Sequence, residues 1–274
     1  MSGSVIDEAT EHSPDSPNNP NNKSGSTAPV ILAIDTSSHH GSIALVRGRH
    51  PLVIFGADSR DTHSNRLITE IDMALKKVGV KLEEIDALTV VTGPGSFTGL
   101  RIGLSTIKGL ARAIDKPVVG VTALEATAHS AGTGENVLSF VNALRQEVYA
   151  QLFRVGQDGA SPVGSAIVAS PEAVLERFAD QPSLVFAGDG VEVYRGKIEL
   201  IAGSKGYVVT HAAVSGQSRP NAWTIAVEMP FLAVNAARIA VGRVLSGATC
   251  KAQEIEAFYV RQSDAELKLG EKKT

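Results

Sequence analysis

The sequence has a single cysteine, Cys250, a single tryptophan, Trp223, and only 5% aromatic side chains. A lone thiol excludes an internal disulfide framework and fits a reducing compartment. No apolar run approaches the ~20 residues of a membrane-spanning helix, so no membrane contact is expected. Excess charge is missing as well. The 26 basic and 29 acidic residues leave a net charge of −3, too small a field to hold nucleic acid by itself. The amino terminus lacks a basic flank followed by an apolar run and carries Asp7, Glu8, Glu11 and Asp15 before the first arginine, Arg47. That pattern predicts a cytoplasmic protein.

Familiar catalytic signatures are also missing. The 7 histidines include no pair at the i, i+4 helical spacing of a zinc site. There is no G-x-S-x-G elbow, and nothing around Cys250 marks a nucleophile. Accordingly, no catalytic residue and no metal ligand is assigned.

What the chain does contain is 43% hydrophobic residues, enough for a real core in a length that allows one or two domains. Residues 1–28, rich in Ser, Pro, Asn and Gly, cannot offset their ordering entropy and are expected to be a disordered tail. Val30-Ile31-Leu32-Ala33-Ile34 then reads as a buried central strand ending in Asp35-Thr36-Ser37. Ser42 to Val46 and Leu52 to Phe55 extend it into a meander. Between Thr62 and Val78 the apolar period is helical, with Leu67, Ile71, Ala74 and Val78 on one stripe and Gly79 as the stop. Ile68 and Leu75 widen that stripe beyond what one sheet contact needs, which fits either plain core packing or a second buried contact, with another chain.

Further strands are expected at Ala87 to Val91 and Pro117 to Val121, and Thr122-Ala123-Leu124-Glu125 has the form of a helix-starting capping box. A weaker second series follows: strands at Val137 to Asn142, Glu147 to Phe153, Ala166 to Val168 and Leu184 to Ala187, then a long helix from Phe231 to Leu245. The predicted architecture is α/β, with two related lobes at residues 29–130 and 131–274.

The densest feature is Gly93-Pro94-Gly95-Ser96-Phe97-Thr98-Gly99-Leu100-Arg101-Ile102-Gly103, a turn that opens into a helix. It fails as a Walker A loop, because five residues separate Gly93 from Gly99 and Leu100-Arg101 replaces the Lys-Ser/Thr pair. It fails as a dinucleotide fingerprint, because Thr98 stands where glycine is needed. Gly99, Gly103 and Gly109 lie inside the predicted helix and each costs roughly 1 kcal/mol against alanine. A turn with small residues that let helices approach, or close backbone approach to a ligand or to a neighbouring chain, would offset that cost. At the strand end, Asp35, Thr36 and Ser37 are compatible with hydrated Mg²⁺ and phosphates or with a simple hydroxyl turn.

Leu32 to Ser37, His63-Ser64-Asn65-Arg66-Leu67, the run from Gly93 to Gly109 and Gly120-Val121-Thr122-Ala123-Leu124 together resemble the bacterial TsaB (YeaZ) family. The resemblance covers roughly residues 30–260 and is strongest up to about residue 125. It implies an ASKHA fold, the two-lobed architecture of actin, heat-shock chaperones and sugar kinases. It also implies a non-catalytic scaffold that binds TsaD, with the ATPase TsaE, in making threonylcarbamoyladenosine beside the tRNA anticodon. The alternatives are a metal-dependent glycoprotease-like peptidase, an ASKHA ATPase or kinase, and a self-associating structural protein.

The catalytic relative places two metal-binding histidines where this chain has Ala123 and Thr127, and the Asp-x-Gly-Thr phosphate hairpin is replaced by Asp35-Thr36-Ser37. The resemblance therefore implies no cofactor on this chain alone, with ATP or ADP and Mg at most in the assembled complex. The implied TsaD interface, on the first lobe, comprises His63, Arg66, Leu67, Ile68, Ile71, Leu75, Gly99, Arg101, Ile102, Gly103 and Thr106. The same face would form a homodimer when TsaD is absent, and tRNA would be met only through the complex. Asp35, Thr36, Ser37, Gly93, Gly95 and Ser96 are the nucleotide-proximal candidates. The second lobe departs from the family pattern Asp-Ala-Arg-x-Gly-Glu-Val-Tyr, reading Asn142-Ala143-Leu144-Arg145-Gln146-Glu147-Val148-Tyr149. Glu256-Ala257-Phe258-Tyr259-Val260-Arg261 resembles the family's closing Pro-x-Tyr-x-Arg.

Overall fold

The computed structural model describes residues 28–38, 40–58, 66–212, 220–226 and 231–260. The predicted tail, apart from its last residue, and His63 lie outside them. The first sheet contains β1 (Val30–Asp35), β2 (His40–Arg47), β3 (His50–Asp58), β4 (Ala87–Val91) and β5 (Val118–Val121) in the order β3-β2-β1-β4-β5. The meander β1-β2-β3 is antiparallel, whereas β4 and β5 add to β1 in parallel. Parallel addition needs crossovers. These are α1 (Leu67–Val78) and α2 (Phe97–Ile114).

Every residue of β1 is buried, and strand alternation explains why both faces must be covered. Leu32 and Ile34, with Ile43 and Leu45 of β2, point to the α1 and α2 side. Ile31 and Ala33, with Ala44 and Val46, point the other way, onto α3 (Ala123–Ser130) and α7 (Leu232–Leu245).

The second sheet holds β6 (Gly134–Asn142), β7 (Val148–Gly156), β8 (Gly159–Ala169), β9 (Ser183–Ala187), β10 (Val208–Ala212) and β11 (Ala222–Ala226). Its order, β8-β7-β6-β9-β11-β10, repeats the antiparallel meander and parallel continuation of the first. The duplicated α/β lobe expected of an ASKHA fold is therefore present. On its outer face lie α4 (Pro171–Arg177) and α6 (Arg195–Ser204), preceded by the short α5 (Gly190–Val193). On its inner face Leu124 and Ala128 of α3 meet Val137, Phe153 and Val185. The result is five layers: helices, sheet, the central pair α3 and α7, sheet, helices.

The last helix, placed by the sequence division in the second lobe, packs chiefly on β1, β2, β4 and β5 of the first. The reason is its composition: Ala233, Ala236, Ala237 and Ala240 let it lie close between the sheets. After α7 the chain runs on as a strap along the first lobe, where Cys250 N donates to Val118 O at 2.9 Å and Phe258 N to Thr92 O at 2.8 Å. Among the described residues no helix is long and apolar enough to cross a membrane.

Candidate interaction surface around the glycine loop

Strand β1 ends in a turn in which the Ser37 amide and hydroxyl both donate to Asp35 Oδ1, at 2.8 and 2.6 Å. The glycine loop seals it from above. Ser96 N donates to Ser37 O at 2.7 Å, Thr36 Oγ1 donates to Gly99 O at 2.7 Å, and Ser96 Oγ caps α2 by accepting from Gly99 N at 3.2 Å. As a result Asp35, Thr36 and Ser37 are buried. Of the nucleotide-proximal candidates, Thr36 and Ser37 thus bond directly to the loop.

The glycines have the same cause. A Cβ on Gly95 would collide with Ser37 O, one on Gly99 with Thr36 O, and one on Gly103 with Thr36 Oγ1. Gly93, at φ 111°, meets Leu100 and Phe258 O instead. Gly99 and Gly103 therefore serve contact with their own strand end. Gly109 differs: it is exposed and has nothing within 4 Å of where its Cβ would lie.

Helix α1 begins at Leu67, with Arg66 as its N-cap. Leu67, Ile71 and Leu75 are buried in the core of the first lobe. Leu75 was expected to face a partner. Its side chain lies only one residue's rotation from Ala74, inside the stripe that meets the sheet. Ile68 at 56% and Met73 at 53% are the exposed apolar side chains of α1. Arg66 is exposed and sits 3.4 Å from Glu70. On α2, Ile102 and Thr106 are half-buried, whereas Arg101 is exposed. A rotation of 100° or more along the helix separates Arg101 from those two. Arg101 stacks instead on Phe97, with Cζ 3.9 Å from the ring centroid.

In the helix where the catalytic relative is expected to carry its histidines, Ala123 and Thr127 are buried. Among the described residues no group of three or more His, Cys, Asp or Glu could hold a metal. The polar groups of α3 turn to α7. Glu125 pairs with Arg243 at 2.5 Å, and His129 Nδ1 lies 3.2 Å from Asn235 Oδ1. Burial pushes the Glu125 carboxyl above its usual range, with Arg243 opposing, and holds His129 below its ordinary value, with the Asn235 hydrogen bond opposing. The sequence marks Glu125 only as part of a capping box and His129 not at all, because burial of a polar side chain has no periodic signature in an eight-residue helix.

The departures at the β6–β7 turn also have a visible form. Leu144, Arg145 and Gln146 are successive left-handed residues at φ 59°, 50° and 61°, and none is glycine. Leu144 N donates to Asn142 Oδ1 at 3.0 Å and Asn142 N to Asp189 Oδ1 at 2.8 Å. Burial raises the Asp189 carboxyl.

A family model described as TsaD, tRNA N6-adenosine threonylcarbamoyltransferase, matches residues 32–252. The tRNA threonylcarbamoyladenosine biosynthesis protein TsaB of Bacillus subtilis is 30% identical over 186 residues, 66% of this chain and 80% of that protein. The chain belongs to the TsaB family. A TsaB protein of the same description from Haemophilus influenzae is 38% identical over 123 residues, an alignment that covers 43% of this chain and about half, 51%, of that protein. Among solved structures, a Pseudomonas aeruginosa protein described as similar to the peptidase YEAZ superposes with a TM-score of 0.67 at 26% identity, covering 85% of this chain and all of that one. TsaB membership fits the doubled lobe and the glycine turn together.

Proposed function

We propose that this chain is a non-catalytic subunit of tRNA threonylcarbamoyladenosine biosynthesis that docks TsaD and acts with TsaE. Its family membership supports the pathway. The observation that carries the docking role is the outer helix layer of the first lobe, which no other element covers among the described residues. Ile68 and Met73 are exposed on α1, and α2 offers half-buried Ile102, Thr106 and Leu110 beside the open Gly109. An apolar face with one residue lacking a side chain suits the close approach of a partner helix. Two copies would use the same face when TsaD is absent. The non-catalytic part is supported by the sealed Asp35-Thr36-Ser37 turn and by buried Ala123 and Thr127. Any ATP or Mg²⁺ chemistry then belongs to the assembled complex.

The test is reconstitution of tRNA modification from TsaD, TsaE and this chain. Omitting the chain is expected to abolish modification, and the pair Ile68→Glu and Gly109→Arg to abolish co-purification with TsaD at an unchanged melting temperature. Full modification without the chain, or brisk ATP turnover by the chain alone, sinks the proposal.

A further inference from the structure

Helix α2 contains Arg101, Lys108 and Arg112 and no acidic residue. Positions 101, 105, 108 and 112 fall on one stripe at 100° per residue, spanning about 16 Å at 1.5 Å rise. Arg101, Ser105 and Arg112 are exposed and Lys108 is half-buried. Among the described residues no carboxylate forms an ion pair with any of the three cations. In a chain of net charge −3 this is a local positive ridge. Its axis is turned by about 130° from that of Ile102, Thr106 and Leu110, with Gly109 between the two.

The amino-terminal end of the ridge is aromatic. Phe97 and Tyr259 have ring centroids 5.8 Å apart at 35°, and Arg101 covers the Phe97 ring. Phe97 is 39% exposed, Tyr259 44% and neighbouring Phe258 37%. The strap holds the last two in place through Phe258 N to Thr92 O. It also brings Glu254, whose carboxylate accepts from Lys251 N, and Glu256.

We propose that this ridge binds a single-stranded stretch of RNA. An unpaired base stacks on the Phe97–Tyr259 platform, and the adjoining phosphates lie along Arg101, Lys108 and Arg112. Part-exposed aromatic rings beside an arginine plane are what an unstacked base needs, and a row of cations without an ion-pair partner among the described residues suits the backbone. An acidic protein would match the cations but would have no use for the flat rings. A mononucleotide is too short to engage the whole ridge. The choice of RNA rests on the proposed role in tRNA modification.

The experiment is fluorescence anisotropy with a labelled RNA hairpin carrying an unpaired loop, using the full chain alone and in complex with TsaD. Binding is expected with a log–log salt slope of about −2, from roughly 0.7 per neutralised phosphate. Lys108→Ala or Arg112→Ala should reduce the slope by about 0.7. Phe97→Leu with Tyr259→Leu should weaken binding about tenfold at unchanged slope. Fully duplex RNA should compete poorly, and polyglutamate hardly at all.

The proposal is overturned if neither the chain nor its TsaD complex binds the hairpin, or if the triple alanine variant at 101, 108 and 112 binds with an unchanged slope while melting as the parent does. Duplex RNA competing as well as the hairpin overturns it too. Displacement by polyglutamate as effective as by RNA overturns it in favour of an acidic protein partner. Lys108→Ala with Arg112→Ala should still co-purify with TsaD. Failure of the parent chain to bind TsaD would defeat the proposed function, while the RNA measurement on the chain alone would still stand or fall by itself.

Discussion

Single atoms decide the role of several residues at the glycine loop. Gly99 cannot carry a side chain, because Thr36 O already occupies the space a Cβ would take. Gly99→Ala is expected to destabilise by roughly 1–3 kcal/mol, as overpacking of a tight contact does, which denaturant unfolding will show. The same scale separates Leu75 from Ile68, which look alike in sequence. Leu75→Glu buries an unpaired charge in the first-lobe core and should cost about 3 kcal/mol or more, whereas Ile68→Glu at a 56% exposed site should stay within about 0.5 kcal/mol. His129 supplies a titration. Burial lowers its pKa from 6.5, Arg238 and Arg49 push the same way, and Asn235 opposes them. A base with a depressed folded pKa binds fewer protons folded than unfolded, so its contribution is full above about 6.5 and lost as pH falls through the window below it. Chemical denaturation at pH 7.5 and 5.5 should therefore show a smaller loss on acidification for His129→Gln than for the parent.

At the scale of elements, α2 is one helix with different surfaces around its axis. Its buried face carries Gly103, filled by Thr36, and its outer side carries Gly109, open to solvent. Gly109→Ala should stabilise by about 0.5–1 kcal/mol in thermal melts, since it removes backbone entropy without a clash, while Gly103→Ala should do the opposite. The strands of the first lobe were legible because a sheet covered on both sides needs continuous apolar runs, and Val30 to Ile34 is one. Helices α5 and α6 and strands β10 and β11 were not legible. Two of them are five-residue strands, and α6 contains Gly196 and Gly203 and buries only Ile198 and Ala202, too little for a period to emerge. The extent of β8 was missed for a similar reason. As an edge strand interrupted by Pro162 and Gly164 it carries turn signals inside a ladder. For the candidate site, the sequence exposed the loop and the helix that follows it. It did not show that the strap returns Tyr259 to Phe97, because that contact joins segments more than 150 residues apart and depends on where α7 sends the chain.

The whole molecule is held as one body by the central helices. Helix α7 packs on the first sheet and α3 on the second, so the contact between them carries the lobe interface. Glu125 and Arg243 tie the two helices, and Arg243 Nη1 also donates to Gly120 O at 2.6 Å. Arg49 of the β2–β3 turn reaches Gln157 O and Asp158 of the β7–β8 turn, across the lobes but in solvent. The exposed pair contributes little, because water screens it and two long side chains must be ordered. The central pair is different. Glu125 is buried and its pKa is already raised by desolvation, so removing Arg243 leaves a carboxylate without its compensating charge. Arg243→Met is expected to cost roughly 3–5 kcal/mol near neutral pH, and adding Glu125→Gln should restore much of it, since no buried charge is then left alone. In the single variant the folded state holds Glu125 protonated to higher pH than the unfolded chain does. Its loss of stability should accordingly be small at acid pH and grow as pH rises. Calorimetry of the parent should show one transition, because neither sheet keeps its inner face covered if the helices part. Two separable transitions, or an Arg243→Met defect independent of pH, would show that the lobes are not coupled through this pair.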